Sequence, residues 1–429
     1  MTESSYRSLL LRKGYVALLC TQFLGVYNDH LLKMLVSLMA IEAAADAGGA
    51  GGYLSLTTAV FIAPYLLFSG YAGHVADVFN KRSVLIVTKA GEVAIMGLAL
   101  VGLMTARLDW MMAILFLMAV QSTFFSPAKY GILPEMLPQA QLSRGNGLLE
   151  LCRFGAVILG TGSAGLLLLF ASDRPGMIGM VLVALAAVGT LVSFAISSGR
   201  DHSAPKHFRP NPWAEIITGV RRLAGDGRLG AVVIGITFFE FLGSFVMLDL
   251  LLVGKEVMGL SDTSVSLLLA FAGLGIGFGS ILAGRLSGER IELGLVPIGA
   301  AGVALGLTIS TFAADSFGWI AAVMTLVGAS SGFFFVPLNA LLQHGPGRHE
   351  KGLLISTNNF LNMLGVLLSC GLLWFLRDVC SIPPDTILLL AGIFTAVAIA
   401  FALRLKPELL KATSSWLLSH RGFRRGMIG

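Results

Sequence analysis

Five acids stand inside long apolar runs of this sequence: Asp29, Glu92, Glu150, Glu240 and Asp249. Lys33, Lys89, Lys129 and Arg153 are basic residues in the same runs. A charge at the centre of a bilayer costs roughly 2.5–3.5 kcal/mol on insertion scales. Each therefore needs a partner, water or a use. Asn28, Asp29 and His30 are consecutive mid-run, and Lys33 stands four residues after Asp29. That spacing puts acid and base on one helical face in the favourable order. Two readings are open: a self-neutralised pair in a packing contact, or a polar patch facing a cavity where Asp29 meets a cationic group or an ion. Three polar residues in succession are a large cost for packing alone, which favours the cavity.

Glu150 and Arg153 are three residues apart, with Asn146 one turn earlier, and Asn358, Asn359 and Asn362 occupy a corresponding run in the second half of the chain. These groups suit either a gate network or substrate contacts. Glu240 is placed to titrate or to bind an amine. Lys89 and Glu92 have a spacing that lets them pair. Lys129 either snorkels to the interface or faces a substrate, and Asp249 is expected near a solvated end. The candidate binding set is thus Asn28, Asp29, Lys33, Lys129, Asn146, Glu150, Arg153, Glu240, Asn358 and Asn362. Its chemistry is ion pairing and hydrogen bonding to a charged solute. No histidine opens an H-x-x-x-x-D acyltransferase pattern, and Cys20, Cys152, Cys370 and Cys380 lack metal-type spacing. The expectation is of no enzyme, no cofactor and no metal.

The elements that position these groups are set by composition. Hydrophobic residues make up 55% of the 429, and charged residues 13%, about half the share in soluble domains. Mean hydropathy is +0.82. Lipid is the solvent such a sequence requires. Twelve apolar stretches can be marked, roughly 14–41, 52–73, 83–105, 110–130, 144–170, 176–198, 229–253, 263–286, 292–313, 316–342, 353–376 and 385–405. Each approaches the 20 or so residues that cross a bilayer as a helix, and is too continuously apolar for a barrel strand. The fold class is an all-α membrane protein with 12 transmembrane helices. The first stretch carries Asp29 and Lys33 and is too long for a cleaved signal peptide.

Lysine and arginine crowd the segments on one side, while the opposite loops hold only Arg107, Arg174, Lys255 and Arg377. The positive-inside rule then puts both termini in the cytoplasm. The net charge of +6 is a topology signal, and no nucleic-acid partner is expected. Residues 200–228 interrupt the apolar pattern with Pro205, Pro210, Pro212 and a cluster of basic residues. They read as a cytoplasmic linker in which Trp213 to Leu223 form an interfacial helix, with Arg221 and Arg222 toward phosphates. The expected organisation is an N-terminal six-helix bundle over 1–199, the linker 200–228, a C-terminal six-helix bundle over 229–406, and a cytoplasmic tail over 407–429.

The two halves repeat one another. Phe124-Phe125-Ser126-Pro127 and Phe334-Phe335-Val336-Pro337 stand 210 apart, Ala72-Gly73 and Ala283-Gly284 stand 211 apart, and Asn146 and Asn358 stand 212 apart. Three landmarks in one register mark two pseudo-symmetric six-helix bundles. Gly70, Gly73, Asp77, Lys81 and Arg82 form a G-x-x-G-x-x-x-D-x-x-x-K-R pattern that resembles the loop motif of the major facilitator superfamily. Gly73, Asp77, Lys81 and Arg82 are therefore the candidate gating motif: glycine for close helix approach, the acid for a helix N-terminus, the bases for the cytoplasmic face. The second copy, Gly284 to Arg290, lacks the aspartate, which predicts an asymmetric gate.

Longer motifs narrow the resemblance. Asn28 to Lys33, Ser126 to Glu135, Gly145 to Glu150, and Gly332 to Gln343 are similar to motifs of the bacterial lysophospholipid transporter family. His30 stands where that family often has asparagine, and the arginine that some members carry in span seven has no counterpart here. The resemblance implies passage of lysophosphatidylethanolamine and related single-chain lipids across the bacterial inner membrane by alternating access. It also implies a functional link to a cytoplasmic acyltransferase; the drive is left open between a coupling ion, proton or sodium, and the lipid gradient alone. Asp29 or Glu240 would face the amine, and Lys129, Lys33 or Arg153 the phosphate. A proton-coupled exporter of drugs or other amphipathic molecules is the rival expectation.

Overall fold

The computed structural model describes residues 6–45, 50–171, 174–197, 211–288, 291–312, 316–347 and 350–425. All regular structure among them is helical. In chain order the helices are α1 (Tyr6–Leu10), α2 (Lys13–Ala45), α3 (Ala50–Val78), α4 (Lys81–Thr105), α5 (Leu108–Met136), α6 (Gln139–Ala171) and α7 (Pro175–Ser193). They continue with α8 (Pro212–Gly225), α9 (Gly227–Leu252), α10 (Asp262–Leu286), α11 (Leu295–Ser310), α12 (Phe317–His344), α13 (Lys351–Trp374), α14 (Pro384–Leu405) and α15 (Glu408–Arg425). A π-helical turn, Val253–Val257, extends α9, and a second, Phe375–Val379, extends α13.

Ten of these helices are long and apolar enough to cross a membrane. The 33-residue α2, which carries Asp29 and Lys33, and the 16-residue α11 complete a twelve-helix set. The helix ends obey local chemistry. Asn80 caps α4 by accepting from Ser83 N at 3.3 Å, and Ser261 caps α10 by accepting from Ser264 N at 3.3 Å. Pro175 and Pro384 open α7 and α14, where their missing N–H is not needed.

Two compact units emerge from the internal contacts. The first comprises residues 1–138, 155–230 and 343–363; the second comprises 139–154, 231–342 and 364–429. The halves of α6 and of α13 thus belong to different units. The core of the first unit is built from Leu31, Leu35, Met96, Ile114, Met118 and Leu182 with their neighbours. In the second unit Leu242, Val246, Leu268, Leu307, Met324 and Leu388 do the same. Glycines set the closest approach inside the second unit. Gly275 and Gly279 of α10 lie against the backbone of Thr325 and Ala329 on α12, and Gly328 and Gly332 of α12 lie against α10 in return. This four-residue spacing of small residues on both helices brings their backbones together where lipid gives no hydrophobic drive.

Of the linker, residues 200–210 lie outside the described part, as do Glu289 and Arg290 of the second loop copy. The helix expected over Trp213 to Leu223 forms as α8. Asn211 caps it by accepting from Trp213 N at 3.0 Å. Ile216 and Leu223 are buried, and Trp213 meets the ring of Phe360 edge-on at 5.7 Å. Arg222 engages Glu350 at 3.2 Å.

Candidate functional site

In the first unit, α2 carries Asn28 and Asp29 into the interior. Asn28 is fully buried and its Nδ2 donates to Glu92 Oε1 on α4 and to the carbonyl of Leu182 on α7, both at 3.2 Å. Lys89 and Glu92 pair on one face of α4, both buried. Asp29 is 8% exposed. Its Oδ2 accepts a hydrogen bond from Ser122 Oγ on α5 at 2.6 Å, while Oδ1 has no donor. Glu92, Lys89 and Lys129 are the charged groups that act on it. Lys33 is not its partner: the Lys33 ammonium lies 4.7 Å from the centroid of the Phe61 ring. Lys129 is buried within α5, its Nζ 4.2 Å from the centroid of the Tyr130 ring. One unit thus holds buried charges of both signs around Asp29, where an added charge finds a low-dielectric setting.

The second unit holds the other half of the set. Glu150, fully buried on α6, accepts from Arg153 Nε at 2.7 Å. Arg153 Nη2 lies 3.7 Å from Glu240 Oε1 on α9, and its guanidinium plane sits 4.5 Å from the Phe154 ring centroid. One cation between two carboxylates leaves a formal negative charge at the triad. Asn146 is buried one turn earlier and donates to Leu142 O at 3.0 Å on its own helix. Gly147 lies directly against the backbone of Ser280 on α10.

Within the first unit the N-terminal part of α13 carries the asparagines. Asn359 Nδ2 donates to Ser126 Oγ at 2.9 Å. Asn358 and Asn362 are buried, and Asn358 Oδ1 has no donor. The structure therefore places Asn28, Asp29 and Lys129 in one neighbourhood and Glu150, Arg153 and Glu240 in another.

The motif after α3 has its own geometry. Gly73 lies against Ser356 and Gly352 of α13; a Cβ there would sit 2.7 Å from Gly352 O. One turn on, Asp77 accepts from Gly352 N at 2.6 Å and Leu353 N at 3.1 Å, capping α13 with a negative charge. Lys81 is buried and pairs with Glu135 at 2.7 Å rather than pointing into solvent. Arg82 donates to the carbonyls of Phe194 and Ile196, both at 2.7 Å.

Sequence reasoning misses two things. Ser122 carries no signal, since a lone serine in an apolar run is ordinary. Asp249, expected to be solvated, is fully buried, and neither carboxylate oxygen has a hydrogen-bond donor.

The family model described as Major Facilitator Superfamily matches residues 18–370. The chain belongs to the major facilitator superfamily. Membership accounts for the twelve helices, the duplicated halves and the capped motif after α3, and it makes the protein a multi-pass membrane transporter. Among superfamily relatives, a protein of Klebsiella pneumoniae named lysophospholipid transporter LplT is 29% identical over 414 residues, covering 93% of this chain and 98% of that one. One of the same name from Yersinia enterocolitica is 28% identical over 368 residues, covering 85% and 87%. Among solved superfamily folds, the human organic anion transporter MFSD10 superposes with a TM-score of 0.74 at 14% identity, covering 90% of this chain and 98% of that one. The Escherichia coli fucose:proton symporter FucP gives 0.68 at 16% identity, covering 91% and 98%.

Proposed function

We propose that this transporter moves lysophospholipids, such as lysophosphatidylethanolamine, across the bacterial inner membrane by alternating access, with both termini cytoplasmic. The observation that carries the reading is the end-to-end similarity to the proteins named lysophospholipid transporter, which covers 93% of this chain and 98% of the Klebsiella relative. The buried charges suit such a substrate. A lysolipid head group presents an ammonium and a phosphate. In the first unit, the free Oδ1 of buried Asp29 suits the ammonium and Lys129 the phosphate. In the second, Arg153 offers a planar donor fork for phosphate, and Glu240 a carboxylate for the amine. The tail stays on the lipid side: the apolar cavity among Phe238, Phe239, Met324 and Phe334 has a volume of about 50 Å³, which admits only a few water-sized spheres. A proton or sodium ion supplies the drive, and a cytoplasmic acyltransferase consumes the product.

Uptake of labelled lysophosphatidylethanolamine into proteoliposomes containing the purified chain tests the reading. Saturable, protein-dependent uptake is expected. Absence of lysolipid movement together with pH-driven efflux of an amphipathic drug overturns it in favour of an exporter.

A further inference from the structure

The end of α9 holds a titratable group for which the lipid reading has no use. Asp249 is 0% exposed, and both its Oδ1 and Oδ2 lack a hydrogen-bond donor. Val246, Leu250 and Val253, which flank it along the chain, and Ile387 and Leu388 on α14 belong to one buried apolar cluster. Three charged groups act on it: Asp385 in the first turn of α14, Glu256 in the π turn Val253–Val257, and Arg377 in the π turn Phe375–Val379. Arg377 is already paired with Glu256, so of these three groups Asp385 is left as the uncompensated charge; Lys255 and Asp378 stand in the same two turns. An ionised carboxylate with no donor, in an apolar core and beside a like charge, costs far more than a neutral one.

We propose that Asp249 is a proton-binding site of the transporter. It is neutral while the end of α9 is closed. It releases its proton to water when the junction of the two π turns with α14 opens, and recloses only after taking one up. The positive-inside count assigns this end to the outer face, so the site exchanges protons there. The chemistry favours a proton over a metal cation. Hard cations take about six oxygens, whereas Asp249 and Asp385 are the only carboxylates of this interacting group outside the Arg377–Glu256 pair among the described residues. The two π turns supply the mobile element: such turns interrupt the regular helical ladder and recur at functional sites, and here the Arg377–Glu256 pair ties one to the other. This inference needs a transporter but no particular substrate.

Hydrogen exchange of the purified full-length protein, without lysolipid, tests it. Exchange in residues 249–260 and 375–388 is measured from pH 5 to pH 9 and corrected for the intrinsic pH dependence of amide exchange. If one ionisation opens the junction, the open population rises by up to about tenfold per pH unit over part of that range. Asp249→Asn, a neutral isostere, removes the dependence and stays closed. Asp385→Asn, which removes the like charge, makes an ionised Asp249 less costly in the closed junction and so weakens the pH-dependent opening. Exchange that is flat with pH in the wild-type protein, or that responds to sodium at constant pH instead, overturns the proposal. In proteoliposomes, an imposed pH gradient stimulates wild-type flux but not that of Asp249→Asn. Absence of lysolipid flux, with the pH-dependent opening intact, sinks the lipid reading alone.

Discussion

Asp77 accepts hydrogen bonds from the backbone amides of Gly352 and Leu353, 275 and 276 residues away along the chain. The carboxylate thereby satisfies two of the four amide donors that a helix N-terminus leaves unpaired. Capping side chains contribute about 0.5–2 kcal/mol, and a partly buried charge at the dipole end reaches the upper part of that range. Asp77→Ala is expected to raise amide exchange in residues 351–355 by roughly 10-fold and to lower transport. Asp77→Asn, which keeps an acceptor and loses the charge, falls between.

Asp29→Asn is expected to insert and fold normally, because the Ser122 bond at Oδ2 tolerates an amide. A hydrogen bond to a charged group is worth about 1.5–3 kcal/mol, so lysolipid flux should fall about 10- to 100-fold. Wild-type flux in this variant removes Asp29 from the substrate path. Its expression level and elution volume separate lost function from lost fold.

Arg153 holds Glu150 in a fully buried setting. Removing one partner of such a pair costs about 3–5 kcal/mol, whereas an apolar replacement of both is near neutral. Arg153→Met is therefore expected to lower the unfolding temperature sharply. Arg153→Met combined with Glu150→Met, both apolar, should recover most of it. Additive losses in that double-mutant cycle would show that the pair is not coupled.

Asp226, just before α9, accepts from Leu229 N at 3.0 Å and Arg228 N at 3.1 Å. The bond from Leu229 first, and that from Arg228 with it, hold its carboxyl below the usual aspartate value. A depressed value stabilises the folded cap above the ordinary aspartate range, and the benefit is lost as pH falls through the lower folded value. Protection of residues 227–230 should drop on acidification below about pH 4. It should change little in Asp226→Asn.

The parts of this protein that can be read from the sequence are those where neighbours in space are neighbours on one helix. Glu150 with Arg153 and Lys89 with Glu92 pair at three-residue spacing, and the apolar runs become twelve helices because bilayer thickness dictates their length. Contacts between helices leave no local trace. The spacing of Asp29 and Lys33 suggests a pair, yet Asp29 turns to Ser122 on α5 while Lys33 lies over Phe61 on α3. Lys81 reads as a cytoplasmic charge, but Glu135, distant in sequence, takes it. Asp249 reads as solvated because its place near the end of a run gives no hint that it is fully buried.

The two π turns, Val253–Val257 and Phe375–Val379, also bear on chain length. Each is a helical segment that holds one residue more than its length would ordinarily admit, so the strain of an extra residue is absorbed within a single turn and the next helix keeps its place. Deleting one residue from 253–257 or from 375–379 should convert that turn to a plain helix without displacing α10 or α14. At these two short stretches a change of chain length costs the register of the following helix least.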